Sequence, residues 1–178
     1  MKKLIASNTG KAILLIIISI IIFSAWEFGL EKYYEESLIG ITNVTLPLVK
    51  KDTRITLENT KKDGSFQFRV YTRVQGRRGN YPQETGSLMQ PFVIILSWQL
   101  FLFFVLGFKD ALKLFGINVG IFVFLQILFL YFLSGYYNSP TQKFLFDMML
   151  DNFYIIALIL IIKDNIFYPV FRRQSKSN

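Results

Sequence analysis

Residues 12–30 read AILLIIISIIIFSAWEFGL, with Glu27 the one charge, close to the end. A helix that crosses about 30 Å of hydrocarbon needs roughly 20 apolar residues, and this run supplies them. Two further runs of the same kind follow at 91–108 and 114–135. A fourth, 147–168, is strongly apolar only around Tyr154, Ile159 and Ile162, so it must borrow length from neighbouring residues. The reading is a membrane protein, mainly α, with four transmembrane helices and one polar insert between the first two. Composition agrees: of 178 residues 52% are hydrophobic, and the mean hydropathy is +0.39. A soluble domain of this size has too little interior to hide that much apolar material.

The first residues, 1–11, carry Lys2, Lys3 and Lys11 ahead of the apolar run, as a signal peptide would. The run is long for such a segment, however, and Ser24-Ala25-Trp26-Glu27 is a poor small-x-small cleavage site, so a retained anchor is expected. Lys and Arg near helix ends set orientation. With the N-terminus inside, the inner pieces 1–11, 109–113 and 163–178 hold Lys and Arg at roughly twice the density of the outer pieces 31–90 and 136–152. This favours a cytoplasmic N-terminus, a cytoplasmic tail at 169–178 and an outer loop and helix start at 136–152. The location expected is the cytoplasmic membrane of a bacterium, crossed several times. The formal charge of +8 is then mostly an orientation signal, and no nucleic-acid partner is expected.

The insert, 31–90, is extracytoplasmic in this reading. Leu38, Ile39, Ile41, Val44, Leu46, Leu48 and Val49 form an apolar stretch too interrupted to span; it lies along the interface or packs beneath the strands that follow. A β-hairpin is expected at about 53–75. Its second strand puts Phe66, Phe68, Val70 and Val74 on one face and Gln67, Arg69, Tyr71 and Arg73 on the other, and Asp63-Gly64 makes the turn. A lone hairpin is marginal in water, so its apolar face needs a cover: the 38–49 stretch, the membrane surface or a partner. The residues from Arg77 to Gly86 are rich in Gly, Pro and Asn and read as a loop returning to the membrane, where Pro91 opens the second span.

The chain has no cysteine and no histidine, which excludes disulfides, thiolate nucleophiles and histidine-based metal or acid–base chemistry. No cofactor is expected. Arg69, Tyr71, Arg73, Arg77 and Arg78 offer guanidinium forks to a partner, an anionic polymer or lipid headgroups at the outer face. Gly116 and Gly120 form a Gly-x-x-x-Gly, with Asn118 between them and Gln126 further along, a pattern that packs helices of one chain or of two. Ser97 and Gln99 of the second span are the matching polar groups. Asp147 and Asp151 lie one helical turn apart as a polar pair, or as acids favourably placed near a helix N-terminus. Lys109, Asp110, Lys163 and Asp164 fall near span ends, which argues against an ion-coupled transporter.

An anchor helix, an interrupted apolar stretch, the strand Phe68-Arg69-Val70-Tyr71-Thr72-Arg73, a Gly/Pro loop and a helix cluster opening at Pro91 together resemble exosortase-associated inner-membrane proteins. Those proteins accompany an envelope protein-sorting peptidase, and the resemblance implies an accessory role. The peptidase itself needs Cys, Arg and His, two of which this chain lacks. The expected function is therefore a non-catalytic accessory subunit bound to a larger membrane protein, in protein sorting, secretion or polysaccharide export. The alternatives are a membrane enzyme acting on a lipid-linked or phosphate-bearing substrate and a small transporter or channel subunit.

Overall fold

The computed structural model describes residues 7–59, 66–84 and 86–171. Ser7, extended at φ −108°, caps the first helix by accepting from the Gly10 amide at 3.0 Å. The helix, α1 (Asn8–Ala25), runs into a π-helical segment, Trp26–Leu30, where Gly29 sits at φ 119°. A side chain is disfavoured at that angle, so the glycine is where the long helix bends into α2 (Glu31–Val49). Three strands follow, β1 (Arg54–Asn59), β2 (Phe66–Val74) and β3 (Arg77–Glu84), and then α3 (Gly86–Val105), α4 (Phe108–Leu133) and α5 (Pro140–Phe167). Ser139 and Pro140 start α5 with a side-chain cap on the Gln142 amide and a proline where no N–H is needed.

The helices α1, α3, α4 and α5 pack as a bundle: α1 on α3, α3 on both α4 and α5, and α4 on α5. At one end Asn8 Nδ2 and Lys11 Nζ donate to the carbonyls of Phe171 and Val170, at 2.9 and 2.7 Å. The main core is aromatic: Tyr34 stacks on Phe92 at 4.1 Å, and Phe122 and Phe129 both pack against Phe153. Outside, the pattern of a soluble protein is inverted. Ile16 is 58% exposed and Ile20 61%, and Phe124, Leu158 and Ile159 also face outward. Two helical stretches, Asn8–Val49 and Phe108–Leu133, are long and apolar enough to cross a bilayer, and the two parts of α5, bent by 54°, make a third if taken as one. Met89–Val105 is apolar over a shorter length. A surface of isoleucine and phenylalanine on such helices is that of a membrane protein.

The strands form one antiparallel sheet in the order β1-β2-β3. In register, Ile55 lies opposite Val70, and Val70 opposite Tyr81. These residues and Phe68 are buried in the same apolar cluster as Leu38, Ile39 and Leu46 of α2. So the 38–49 stretch is helical and, with the bundle, covers the hairpin's apolar face. The free edge of β1 is closed by Asn43, whose Nδ2 donates to the Ile55 carbonyl at 2.7 Å and whose Oδ1 accepts from the Ile55 amide at 2.9 Å. The expected turn at Asp63-Gly64 lies outside the described residues, as does the side chain of Phe66.

Two local expectations are corrected. Arg77–Glu84 is a strand rather than a loop; its residue types do not alternate, but its burial does, with Gly79, Tyr81 and Gln83 turned inward. It is held by the two-residue turn Gln75-Gly76, both at positive φ (51° and 81°), which matches the twist of a hairpin. Pro82 is tolerated there because β3 is an edge strand. The helix expected as the second span, α3, begins at Gly86, which leaves Pro91 inside it instead of at its first position. The missing proline N–H then costs one bond near the helix start, where the ladder is least developed.

Candidate functional site

Asp164, near the end of α5, has no exposed surface. Its Oδ2 accepts from three side chains: Trp98 Nε1 at 3.1 Å, Gln99 Nε2 at 2.9 Å and Asn118 Nδ2 at 2.6 Å. Its Oδ1 faces Lys163 Nζ in an ion pair at 3.2 Å, and that ammonium also donates to Asn118 Oδ1. The centre therefore joins α3, α4 and α5 through one carboxylate. A buried carboxylate is tolerated when its charge is met: three donors satisfy Oδ2 and the ammonium faces Oδ1, which accepts no hydrogen bond among the described residues. Beside it, Gln99 Oε1 is buried without a hydrogen-bond partner among the described residues.

Lys163 and Asp164 lie near the end of α5, as expected, but only Lys163 is at the surface. A carboxylate a few residues from a helix end resembles a water boundary in sequence. Here it points inward, and Lys163, with its side chain 31% exposed, is the member that reaches the surface. Trp98 separates the centre from an apolar groove of about 510 Å³ between α1, α3 and α5. Ser97, also buried, bonds back to the Val93 carbonyl of its own helix at 2.7 Å. Among the described residues no three acidic, cysteine or histidine side chains group as metal ligands would. What the arrangement does is lock helices in register.

The other residues singled out in sequence fall in three places. Gln126 is buried on α4, accepting from the Tyr34 hydroxyl of α2 while its Nε2 lies 3.6 Å from Met89 Sδ. Gly116 and Gly120 are exposed on the same helix, and a Cβ at either would meet nothing within 4 Å. Asp147 is exposed on α5, and the side chain of Asp151 lies outside the described residues.

Arg69, Tyr71, Arg73 and, opposite Arg73 in register, Arg78 share the outward face of the sheet, while Arg77, opposite Val74, is on the other face at the strand's start. Arg69 Nε donates to Glu58 Oε2 at 2.5 Å and its Nη1 to Asn80 Oδ1 at 2.9 Å, while the Tyr71 hydroxyl donates to Glu58 Oε1 at 3.2 Å. The Arg69 guanidinium holds the Glu58 carboxyl below the usual carboxylate range. Arg73 Nη2 pairs with Asp52 at 2.8 Å. Arg77 and Arg78 are exposed, and no ion pair engages either among the described residues.

The sheet is fastened to the bundle at points that sequence reading did not find. Asn138 donates to the Arg73 carbonyl at 2.6 Å and accepts from the Gln75 amide at 3.3 Å. The Tyr81 hydroxyl donates to the Leu133 carbonyl, and burial pushes its pKa up. Lys50, at the end of α2, donates to Ser134 Oγ and Gln142 Oε1, each at 2.9 Å. Burial pulls the Lys50 pKa down. No protein-family model matches this chain, and neither does a curated protein or a solved structure.

Proposed function

We propose that the chain is a four-span protein of a bacterial inner membrane, with both ends cytoplasmic, acting as a non-catalytic accessory subunit of a larger membrane complex. Protein sorting, secretion and polysaccharide export are the settings that fit, and the likeness in layout to exosortase-associated proteins points the same way. One observation carries the reading. The buried polar centre at Asp164 is spent on helix-to-helix bonds, while the sheet is fastened to the bundle and turns a polar face outward. A part mounted so firmly, with an open polar face, suits a partner. The meeting of Lys11 with Val170 at one end of the bundle supports an even number of crossings with both ends on one side.

The test uses the absence of native cysteine. A single Cys at the exposed Arg77 should react with an impermeant reagent in intact cells, and one at Lys109 should not. A photocrosslinker at Arg77 should capture a larger membrane protein that also co-purifies in mild detergent. Reversed labelling would overturn the orientation. Purification as a lone monodisperse species, without adducts in cells, would overturn the subunit reading.

A further inference from the structure

A cleft of about 710 Å³ opens where α2 meets the sheet, walled by Asn43 and Pro47 on the helix side and by Arg54, Tyr71 and Arg78 on the sheet side. We infer that this cleft binds the phosphate of an anionic phospholipid headgroup. The cations of the sheet divide into two kinds. Arg69 and Arg73 are occupied by Glu58 and Asp52, whereas Arg54 and Arg78, both exposed, are joined to no acidic side chain among the described residues. Asp52 also borders the cleft, but its carboxylate is committed to Arg73 at 2.8 Å. Two guanidinium groups free of counter-charge at one concavity suit a phosphate diester, whose oxygens accept from forked donors.

The neighbouring surface distinguishes a lipid from a soluble anion. On α2 the residues that follow the cleft wall in sequence, Val44 after Asn43 and Leu48 after Pro47, are 75% and 84% exposed. Ile41 extends the same apolar strip at 50%. A helix that buries one face in its own protein and exposes branched aliphatics beside a cationic cleft fits the boundary between acyl chains and headgroups. An acidic polymer would instead track the open face of β2, where the arginines are already neutralised by Glu58 and Asp52.

The inference goes beyond the accessory role and holds whether or not a protein partner exists. It is tested on the full chain purified from a bilayer containing phosphatidylglycerol and phosphatidylcholine, by native mass spectrometry of retained lipid. The wild type should retain phosphatidylglycerol about tenfold over phosphatidylcholine. The double variant Arg54→Gln, Arg78→Gln should lose that preference, while Arg77→Gln, exposed but outside the cleft, should keep it. Val44→Ser with Leu48→Ser should weaken retention without removing the charge preference, and supplies the reading if the arginine variant does not melt like the wild type. An equal loss in Arg77→Gln would mean diffuse surface charge and sink the idea. So would full competition by millimolar inorganic phosphate, which would identify a free-phosphate site, and so would absence of preference in the wild type.

Discussion

Asn118 Nδ2 donates to Asp164 Oδ2 at 2.6 Å across the α4–α5 contact, while Oδ1 of the same amide accepts from Lys163. One side chain thus serves both members of an ion pair. Asn118→Leu should remove a donor from the carboxylate and an acceptor from the ammonium together, at a cost of about 1–3 kcal/mol. Thermal unfolding in detergent checks this, with the exposed Gly116→Leu as a control expected to stay within about 0.5 kcal/mol. Because buried ion pairs are replaceable by apolar groups, the double variant Lys163→Met, Asp164→Leu should melt higher than Asp164→Leu alone. The opposite order would refute the lock.

Asn43 replaces a neighbouring strand for Ile55, meeting both its amide and its carbonyl. Asn43→Ala should leave those two backbone groups unpaired, lowering sheet stability by about 1–3 kcal/mol. Hydrogen exchange should then quicken at the Ile55 amide but not in the middle of α4. Uniform protection across both regions would show that the clamp is dispensable.

The turn between β2 and β3 requires positive φ at Gln75 and Gly76. Gly76→Val should destabilise the hairpin by about 1–2 kcal/mol, the cost of a side chain in the left-handed region. Gln75→Asn should stabilise it, because asparagine visits that region more readily. Limited proteolysis of the purified protein should rank the three as asparagine variant, wild type, valine variant, in falling resistance.

Glu58 titrates below the ordinary carboxylate range because Arg69 donates to it, with Tyr71 adding a second bond. Its folded pKa is lower than the unfolded value of about 4.3. The stabilisation is therefore complete above that value and is lost as pH falls through the folded one. In Arg69→Gln the Glu58 midpoint, followed by NMR, should rise toward about 4.3. A midpoint that stays put would show that Arg69 is not its cause.

At Gly135 an added Cβ would fall 1.5 Å from Gln142 Oε1 and 2.5 Å from Lys50 Nζ. Gly135→Ala should thus push these two flexible ends apart while leaving the helices in place. The Lys50 pKa, held down by burial, should recover toward its ordinary value as the ammonium moves to solvent. A Lys50 titration unchanged in the variant would contradict this.

How much of this was visible in sequence depends on how far apart the cause and its partner lie. The apolar blocks and the alternation of Phe68 and Val70 against Arg69 and Tyr71 are local patterns, and they lead to the helices and the hairpin. The Asp164 centre is not local: its donors stand 66, 65 and 46 positions away. Gln99 and Asn118 stand out as polar groups inside apolar runs, but nothing in either run says that a carboxylate from a third helix joins them. β3 was hidden for another reason. Its pairing comes from β2 and a turn, and its own residues, with Gly79, Asn80 and Pro82, spell a loop. The Gly-x-x-x-Gly shows the reverse case, a local pattern at whose glycines an added Cβ would meet nothing within 4 Å among the described residues.

The bonds from Asn8 and Lys11 to the carbonyls of Phe171 and Val170 make the folded backbone nearly a closed ring. A ring can be cut and rejoined elsewhere. A peptide linker joining the two ends, with new ends opened between Asn59 and Phe66, would cut the chain between two strands that already pair. On the proposed topology, a reporter fused to the new ends beside the sheet would sit across the membrane from one fused to the present ends, and so would read that topology directly.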